Sequence, residues 1–316
     1  MRLNKDKLIN LALSNGILIC IIILIIITGL IQPEFFAWKN MVNILRQISV
    51  NGIVACGMTI CIMSGCYDLS VGSIVSMTGV FAILAINAGV NDILCILIGL
   101  GIGIIAGVFN GSLIAAINGR GGEAFIITYG TQIVLAAIAL FPSKGLFIAG
   151  RVPEGLFKMM GKDNAPIYIF LVVAAILQFV ISKTQYGRKL CFIGNNMDAA
   201  KMSGIRVKLN RITYYAISGL MAGLAGIVLC SRVTSSNPTA GTGYEMNAIA
   251  AVVVGGNSAS GGSGSILRTV IGAVVIGVMG NALNILGFST NYQLIVKGAL
   301  IVLAVALDII SKKIKK

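Results

Sequence analysis

Long apolar runs without a single charged side chain alternate with short polar segments along this chain. Five of these runs cover residues 9–33, 69–91, 93–119, 124–143 and 164–182. Each run is close to or above the roughly 20 residues that an α-helix needs to cross the hydrocarbon core of a bilayer. Strands of a membrane barrel would instead give short segments of alternating polarity. The pattern predicts an all-α polytopic membrane protein.

About ten transmembrane helices fit the pattern, and we expect them to form one transmembrane domain that covers the whole 1–316 chain. We place the spans at about 16–31, 48–64, 73–88, 93–117, 125–141, 167–182, 212–230, 244–254, 266–286 and 292–310. An even number puts both termini on one side of the membrane, and the basic residues of the two tails favour the cytoplasm. The first apolar run is too long for the h-region of a secretory signal, so we interpret it as a span.

The composition agrees with a membrane protein and limits its chemistry. Hydrophobic residues make up 57% of the chain and charged residues 11%, and the net charge is +14. Because the basic residues concentrate in the tails and in one polar segment, we attribute the charge to membrane topology and predict no nucleic-acid partner. The chain has no histidine, and its seven cysteines show no C-x-x-C spacing. We therefore expect no metal site, no catalytic residue and no cofactor.

The polar segment at 183–211 stands between two long apolar blocks. It carries seven Lys or Arg residues and one acid, Asp198. A segment of this kind cannot lie in hydrocarbon, and its positive charge predicts a cytoplasmic loop.

A short helix is expected inside this loop, over 196–203. Asn195 or Asn196 can cap its start, and Asp198 suits the positive end of the helix dipole. Gly204 suits a left-handed residue that ends the helix. A capped helix in a cytoplasmic loop is typical of a docking element, whereas an ordinary charged loop that only sets the topology is the alternative.

Two breaks rich in glycine and serine, at 65–72 and 255–264, interrupt the apolar pattern, and each leads into a Ser-Ile pair. Interrupted helices at corresponding positions of two halves point to a transport site, because irregular backbone at membrane depth survives only where protein or a water-filled cavity satisfies it. We predict two broken or re-entrant segments, with ordinary short turns as the alternative. The candidate residues of the translocation pathway are Asp68, Ser70, Gly72, Gly255, Gly256, Asn257, Gly261 and Gly262.

Two charged residues in or near the spans have open interpretations. Asp68 either tunes a polar pathway or, with Ser70, caps the following helix. Lys297 shares the last span with Asp308, about three turns away, and we expect the lysine to snorkel outward and the aspartate inward.

Small residues are spaced four apart in three of the spans. The longest series is in the fourth span, and shorter pairs follow in the seventh and ninth: Gly99, Gly103, Gly107 and Gly111, then Gly219 and Gly223, then Ala273 and Gly277. Such stripes let helices approach closely, so we expect these helices at the centre of the bundle. Lining of a pathway is the alternative.

Four motifs in this order resemble those of the permease subunits of ribose-type sugar ABC importers, in the branched-chain amino acid/ribose permease superfamily. They lie at 65–74, 187–205, 244–267 and 297–308, and the resemblance extends from about residue 40 onward. The sequence departs from the family pattern at 121–125, where the family has a proline-containing stretch, and at 141–145, where it has a glycine-rich motif.

The resemblance implies several partners. These are a cytoplasmic ABC ATPase subunit, an extracytoplasmic sugar-binding protein, and a second copy of the chain or a paralogue, in a dimer within the lipid bilayer. It also implies that the 187–205 motif contacts the ATPase through Gly187, Arg188, Gly194, Asn195, Asn196, Ala199, Ala200, Ser203, Gly204 and Ile205.

Ala199 and Ala200 are adjacent small residues in the middle of the expected helix. Small side chains would let the helix sit deep in a groove of the ATPase, and we expect a bulky replacement such as Ala200→Trp to prevent this contact.

The expected function is that of a transmembrane permease in the cell (inner) membrane for a monosaccharide of the ribose type. ATP hydrolysis belongs to the separate ATPase, so the chain itself is not expected to be an enzyme. One alternative is an ion-coupled secondary transporter, for which Asp68 is the candidate intramembrane acid. The other is a structural half-permease that pairs with a paralogue.

Overall fold

The computed structural model describes residues 22–314, without the side chains of residue 304 and of residues 307–314. The start of the expected first span and the side chain of Asp308 lie outside the described residues. The helices are α1 Ile22–Ile31, α2 Trp38–Met63, α3 Val71–Asn87, α4 Asp92–Ala116, α5 Gly121–Ser143, α6 Leu156–Gly161, α7 Ala165–Lys183, α8 Gln185–Asn195, α9 Met197–Met202, α10 Val207–Val233, α11 Tyr244–Val254, α12 Ile266–Ile285 and α13 Thr290–Ile314. A 3₁₀ turn, Pro33–Phe36, precedes α2, and two short strands, β1 Ile148–Ala149 and β2 Ser235–Ser236, pair antiparallel.

Among the described residues, six helices are long and apolar enough to cross a membrane: α2, α4, α5, α7, α10 and α12. Apolar helices of 10–17 residues lie in α1, α3, α11 and the Thr290–Leu303 part of α13. The prediction of an all-α polytopic membrane protein is thereby confirmed at this level.

Glycines bring α4 and α10 into backbone contact at the centre of the bundle. A Cβ on Gly103 would overlap the carbonyl group of Gly219, and a Cβ on Gly107 would overlap that of Tyr215. No other residue type allows helix axes to approach this closely. The packing interpretation of the glycine stripe is confirmed for these two helices.

The core lies along α2 and α10, whereas α4, α5 and α7 turn most of their surface outward. In α2, 78% of the most apolar window is buried, against 22% in α5. Apolar side chains such as Phe141, Tyr168 and Ile126 are more than half exposed. A helix that is apolar on all sides and exposed is typical of a lipid-facing position.

α3 and α11 both begin inside the bundle, beside the middle of α10. Asp68, just before the start of α3, fixes the depth of this helix. Its carboxylate accepts a hydrogen bond from Ser218 Oγ at 2.8 Å. The start of α11 meets the start of α3, because a Cβ on Gly72 would overlap the Glu245 carboxylate. α10 has 27 residues, which is about 40 Å at 1.5 Å per residue and enough for a full crossing. The chain therefore contains two helices that start partway along a full crossing.

The breaks 65–72 and 255–264 touch at the end of the bundle that carries α8 and α9, called here the α8–α9 end. Gly262 N donates to the carbonyl of Met63 at 2.9 Å, and Asn195 Nδ2 donates to the carbonyl of Gly262 at 3.1 Å. Each break follows a helix that ends here, since α2 ends at Met63 and α11 at Val254. Their interpretation as broken or re-entrant segments of a transport path stays a prediction.

The opposite end of the bundle is covered by the segment between α5 and α7. Ser231 Oγ, in the last turn of α10, donates to the carbonyl of Phe157 at 2.5 Å and holds α6 in place. Lys158 Nζ donates to Glu154 Oε1, and this contact lowers the pKa of the Glu154 carboxyl. The basic residues of this segment thus lie far from those of α8 and α9.

Candidate functional site

A largely apolar cavity of ≈ 440 Å³ with a few polar groups opens between α3, α5 and the loop before α11. Its polar lining consists of hydroxyl groups and one amide, and the rest is apolar: Ser73, Ser76, Tyr129, Gln132, Thr239 and Thr242, with Ile133, Ala136, Ala137, Leu140 and Pro238. Small-molecule sites usually have this size and this combination of apolar walls with a few polar groups. The cavity begins at the first turn of α3, partway along the bundle, and we call it the α3–α5 cavity.

A buried carboxylate lies behind the wall of this cavity. Glu245 Oε1 accepts hydrogen bonds from Gln132 Nε2 at 3.3 Å and from Gly243 N at 3.2 Å. Glu245 is only 6% exposed, and its Oε2 has no hydrogen-bond partner among the described residues. The carboxylate lies at the N-terminal ends of both α3 and α11, where helix dipoles favour a negative charge. Gln132 thus connects the cavity wall to this acid.

Asp68 forms a second, fully buried cluster behind the cavity. Its Oδ1 accepts from both the backbone N–H and the hydroxyl of Ser70, and its Oδ2 accepts from Ser218 Oγ. Asn110 Nδ2 in turn donates to Ser70 Oγ at 2.8 Å. Asp68 is therefore a turn former at the start of α3 that also connects this helix to α4 and α10. It does not line the cavity.

The expected pathway residues do not line the α3–α5 cavity. Gly72 allows Glu245 to approach α3, and Gly255 allows the carbonyl of Arg268 to approach α11. Asn257 is 1% exposed and orders the second break through hydrogen bonds to Val252, Ser265 and Thr269. Three further glycines of that break have positive φ angles, as this tight turn requires: Gly256, Gly261 and Gly262.

The helix expected in the basic loop is present as α9. Asn196 is its N-cap, since Oδ1 accepts from the backbone N–H groups of Asp198 at 3.1 Å and Ala199 at 3.0 Å. Gly204 follows its end with a φ of +78°. The sequence left Asn195 and Asn196 open as caps, and the structure assigns the cap to Asn196.

One expectation about α9 is corrected. Ala200 is 0% exposed and packs in the main core of this chain, so it does not face outward toward a partner. The physical reason is that α9 needs an apolar side on which to rest against its own bundle. Ala199 remains partly exposed.

Several other residues of the 187–205 motif also make contacts within the chain. A Cβ on Gly187 would overlap the carbonyl of Ile181, and a Cβ on Gly194 would overlap that of Met63. Asn195 holds the second break, as described above. These residues fix α8 against the bundle, whereas their role toward a partner stays a prediction.

The outward side of α8 and α9 is basic with exposed apolar groups. Met202 is 85% exposed and Phe192 is 42% exposed. Arg188, Lys189 and Lys201 are exposed beside them. We call this exposed side of the two helices the α8–α9 surface.

Two contacts hold the α4–α5 turn at this end of the bundle, one from α9 and one from α10. Arg120 Nη2 forms an ion pair with Asp198 Oδ2 at 2.8 Å, and the buried guanidinium of Arg211 donates to the carbonyl of Gly119. The ion pair is exposed and contributes little stability by itself. It nevertheless places α9 directly beside the start of α5, which lines the cavity.

The sequence interpretation missed Gln132 and Glu245. Glu245 carries a recognisable signal, because it is the single acid in the apolar segment 244–254 and acids in such segments are usually functional. Gln132 carries no signal of its own, since an amide in a long apolar helix also occurs in ordinary helix packing.

Comparison with known proteins identifies relatives over nearly the whole chain. A family model described as branched-chain amino acid transport system / permease component matches residues 40–305. The chain is 40% identical to the ribose import permease protein of Bacillus subtilis, over 90% of this chain and 89% of that protein. It is 39% identical to the ribose import permease protein of Escherichia coli K12 over 92% of both chains. The D-allose transport system permease protein of the same strain is 37% identical over 98% of this chain and 97% of the relative.

Proposed function

Because this chain belongs to the branched-chain amino acid transport system / permease component family, we propose that it is the permease subunit of an ATP-driven importer for a monosaccharide of the ribose type. Relatives that import ribose and allose support this substrate class. The chain is a multi-pass protein of the inner membrane, and in this proposal it performs no covalent chemistry.

The α3–α5 cavity is the part of the path that contacts the sugar. Its hydroxyl and amide groups can exchange hydrogen bonds with sugar hydroxyls, while Tyr129 and the apolar wall can pack on the C–H face of the ring. The contact between Gln132 and Glu245 is the observation that carries this assignment, because it joins the cavity wall to a buried acid at two helix starts. The eight pathway residues expected from the sequence then shape the path rather than line the cavity.

The α8–α9 surface is the docking site of the ATPase subunit, on the cytoplasmic side. We assign ten spans to the apolar helices, so that both termini lie on that side. A sugar-binding protein then docks on the opposite end, and a second permease chain, either a copy or a paralogue, completes the dimer.

Transport without covalent chemistry requires that ATPase movement reaches the cavity. The Arg120–Asp198 ion pair and the Asn195–Gly262 hydrogen bond connect the α8–α9 end to α5 and to the second break. Rigid helices that are held at such points move as bodies between discrete arrangements.

Uptake of radiolabelled ribose into right-side-out membrane vesicles tests this function. The vesicles contain the permease and its ATPase, with ATP inside and the binding protein outside. We expect uptake that needs ATP and survives a protonophore. Uptake that persists without ATP and collapses with the proton gradient would support an ion-coupled carrier instead, for which Asp68 and Glu245 are the candidate acids.

A further inference from the structure

A second cavity, of ≈ 350 Å³, lies between α2, α10, α11, α12 and α13. It is on the other side of α11 from the α3–α5 cavity and nothing in the proposed transport path uses it. Two cations line it, Arg232 in the last turn of α10 and Lys297 in the third turn of α13. Amide groups on three different helices surround them, from Asn51, Asn247 and Asn284.

Lys297 is half-buried and lines this cavity together with residues of the other helices. That its ammonium group snorkels toward the outer face of the membrane stays a prediction.

Positive charge in and around the cavity is not neutralised by the chain. Arg46 lies one residue before the lining residue Gln47, and its charge is close enough to Arg232 for mutual repulsion. Among the described residues, no Asp or Glu lines the cavity, and neither arginine nor Lys297 takes part in an ion pair. Cations inside a bundle without a counter-ion are costly, so this arrangement favours a bound anion.

Two buried atoms at this place also lack partners. Nε of Arg46 is a donor and Oδ1 of Asn51 is an acceptor, and neither has a hydrogen-bond partner among the described residues. An anion that also carries a hydroxyl group offers acceptor oxygens to the cations that line the cavity and a donor to Asn51 Oδ1. Arginine binds phosphate oxygens with two parallel hydrogen bonds, and an amide oxygen accepts from a hydroxyl.

We propose that this cavity binds a phosphate ester that carries free hydroxyl groups. The ester is either the headgroup of phosphatidylglycerol in the surrounding bilayer or a free molecule such as glycerol 3-phosphate. Basic pockets between transmembrane helices are a recognised form of phospholipid headgroup site. The site is independent of the sugar path, so its failure leaves the proposed function untouched.

Native mass spectrometry of the full-length permease in neutral detergent tests the proposal, with phosphatidylglycerol, phosphatidylcholine and glycerol 3-phosphate as separate probes. We expect at least one of the two hydroxyl-bearing phosphates to bind about tenfold more tightly than phosphatidylcholine, because a hydrogen bond to a charged group contributes that much. Lys297→Gln should remove this preference and Lys297→Arg should keep it. The matched control is Lys162→Gln, an exposed lysine outside the cavity, which should leave the preference unchanged.

The outcomes separate the two sources. Binding of phosphatidylglycerol alone assigns the site to lipid, and binding of glycerol 3-phosphate with the same dependence on Lys297 assigns it to free esters. Equal binding of all three probes, or equal losses in Lys297→Gln and Lys162→Gln, overturns the proposal. If Lys297→Gln does not yield folded protein by thermal unfolding, Arg232→Gln takes its place with the same criteria.

Discussion

At the scale of single residues, the interior of this protein holds carboxylates through hydroxyl and amide donors rather than through cations. The described partners of Asp68 are Ser70 and Ser218, and those of Glu245 are Gln132 and Gly243. Charge-assisted hydrogen bonds of this kind are stronger than neutral ones. Removal of one partner leaves a buried polar atom unsatisfied, at a cost of about 1–3 kcal/mol. The two carboxylates differ in position, because only Glu245 is hydrogen-bonded to a residue that lines the α3–α5 cavity, Gln132.

The role of Asp68 should therefore depend on the shape and hydrogen-bonding atoms of its side chain more than on its charge. Asp68→Asn keeps an oxygen for the Ser70 donors, and the Ser218 hydroxyl can turn to accept from the new amide. We expect a near-normal thermal unfolding temperature and ribose uptake within about threefold of wild type, which is less than 1 kcal/mol. Asp68→Ala should unfold at a clearly lower temperature. Loss of uptake in well-folded Asp68→Asn would show instead that the charge serves transport.

Substitution of Gln132 should lower transport and leave folding unchanged. Gln132→Ala removes a cavity donor and one of the hydrogen bonds of Glu245. We expect uptake to fall about tenfold or more, as for loss of one hydrogen bond to a charged group, at unchanged expression. Val134→Ala, on the exposed side of the same helix, is the matched control. Equal uptake by the two variants would remove Gln132 from the sugar path.

At the scale of helices, two features determine the architecture: the close approach of one helix pair, and the start of two helices partway through the bundle. α4 and α10 meet through their glycines, and α3 and α11 start inside the bundle. A helix start brings unpaired N–H groups and a positive dipole end to that depth. The polar groups around Asp68 and Glu245 compensate these N–H groups and dipole ends. This explains why both acids lie at helix starts inside the bundle.

Gly103 and Gly101 form a matched pair for the glycine contact. A Cβ on Gly103 would overlap the backbone of α10, whereas a Cβ on Gly101 would meet nothing within 4 Å. Gly103→Ala should lower the free energy of unfolding by about 1–3 kcal/mol through overpacking. Gly101→Ala should be neutral or stabilising by up to about 1 kcal/mol, because alanine favours helix. Thermal unfolding in detergent measures both, and equal shifts would contradict the close contact.

Met202 should be the main apolar contact of the α8–α9 surface. Met202→Glu places a charge on a side chain that is 85% exposed, so folding of the permease should not change. We expect co-purification with the ATPase to fall at least tenfold, as for loss of an interface hot spot. Met159→Glu, at an exposed methionine of the opposite end, should retain the ATPase. If both variants retain the ATPase, then the loop serves topology alone.

At the scale of the whole molecule, one end of the bundle gathers the elements that a transport cycle must connect. α8, the second break and the end of α2 meet there at Gly194, Gly262 and Met63. α9 lies next to the start of α5 through Arg120 and Asp198. In the proposed transport cycle, these contacts would carry a movement of α8 and α9 to α5, which lines the cavity.

Gly194 should be needed for this transmission. A Cβ there would overlap the carbonyl of Met63 and press on the amide of Gly262, which separates α8 from the bundle. We expect Gly194→Ala to retain the ATPase, because the α8–α9 surface is unchanged, and to transport about tenfold less ribose per ATP hydrolysed, equivalent to roughly 1.4 kcal/mol. Gly298→Ala, with nothing within 4 Å, is the control. An unchanged ratio of transport to hydrolysis in Gly194→Ala would rule out this route.

The sequence by itself determined the class of the protein, the approximate positions of the apolar helices and the end of α9 at Gly204, and it limited the start of α9 to Asn195 or Asn196. These features depend on local chemistry. The length of an apolar run decides whether it can cross a bilayer, and capping residues act on the backbone within a few residues of themselves. The glycine spacing of α4 favoured close helix packing, and the structure decided between packing and the lining of a pathway.

Only the tertiary structure decided which side of each helix faces inward. In a helix that is apolar all round, periodicity does not distinguish a lipid-facing side from a buried one. Ala200 was assigned to a partner surface although it packs on its own bundle, and no sequence pattern showed that Lys297 lines a cavity. The contacts of Asp68 with Ser218 and of Gln132 with Glu245 join residues more than a hundred positions apart. Such pairs follow from the depth at which α3 and α11 begin, and that depth is fixed by packing rather than by any local pattern.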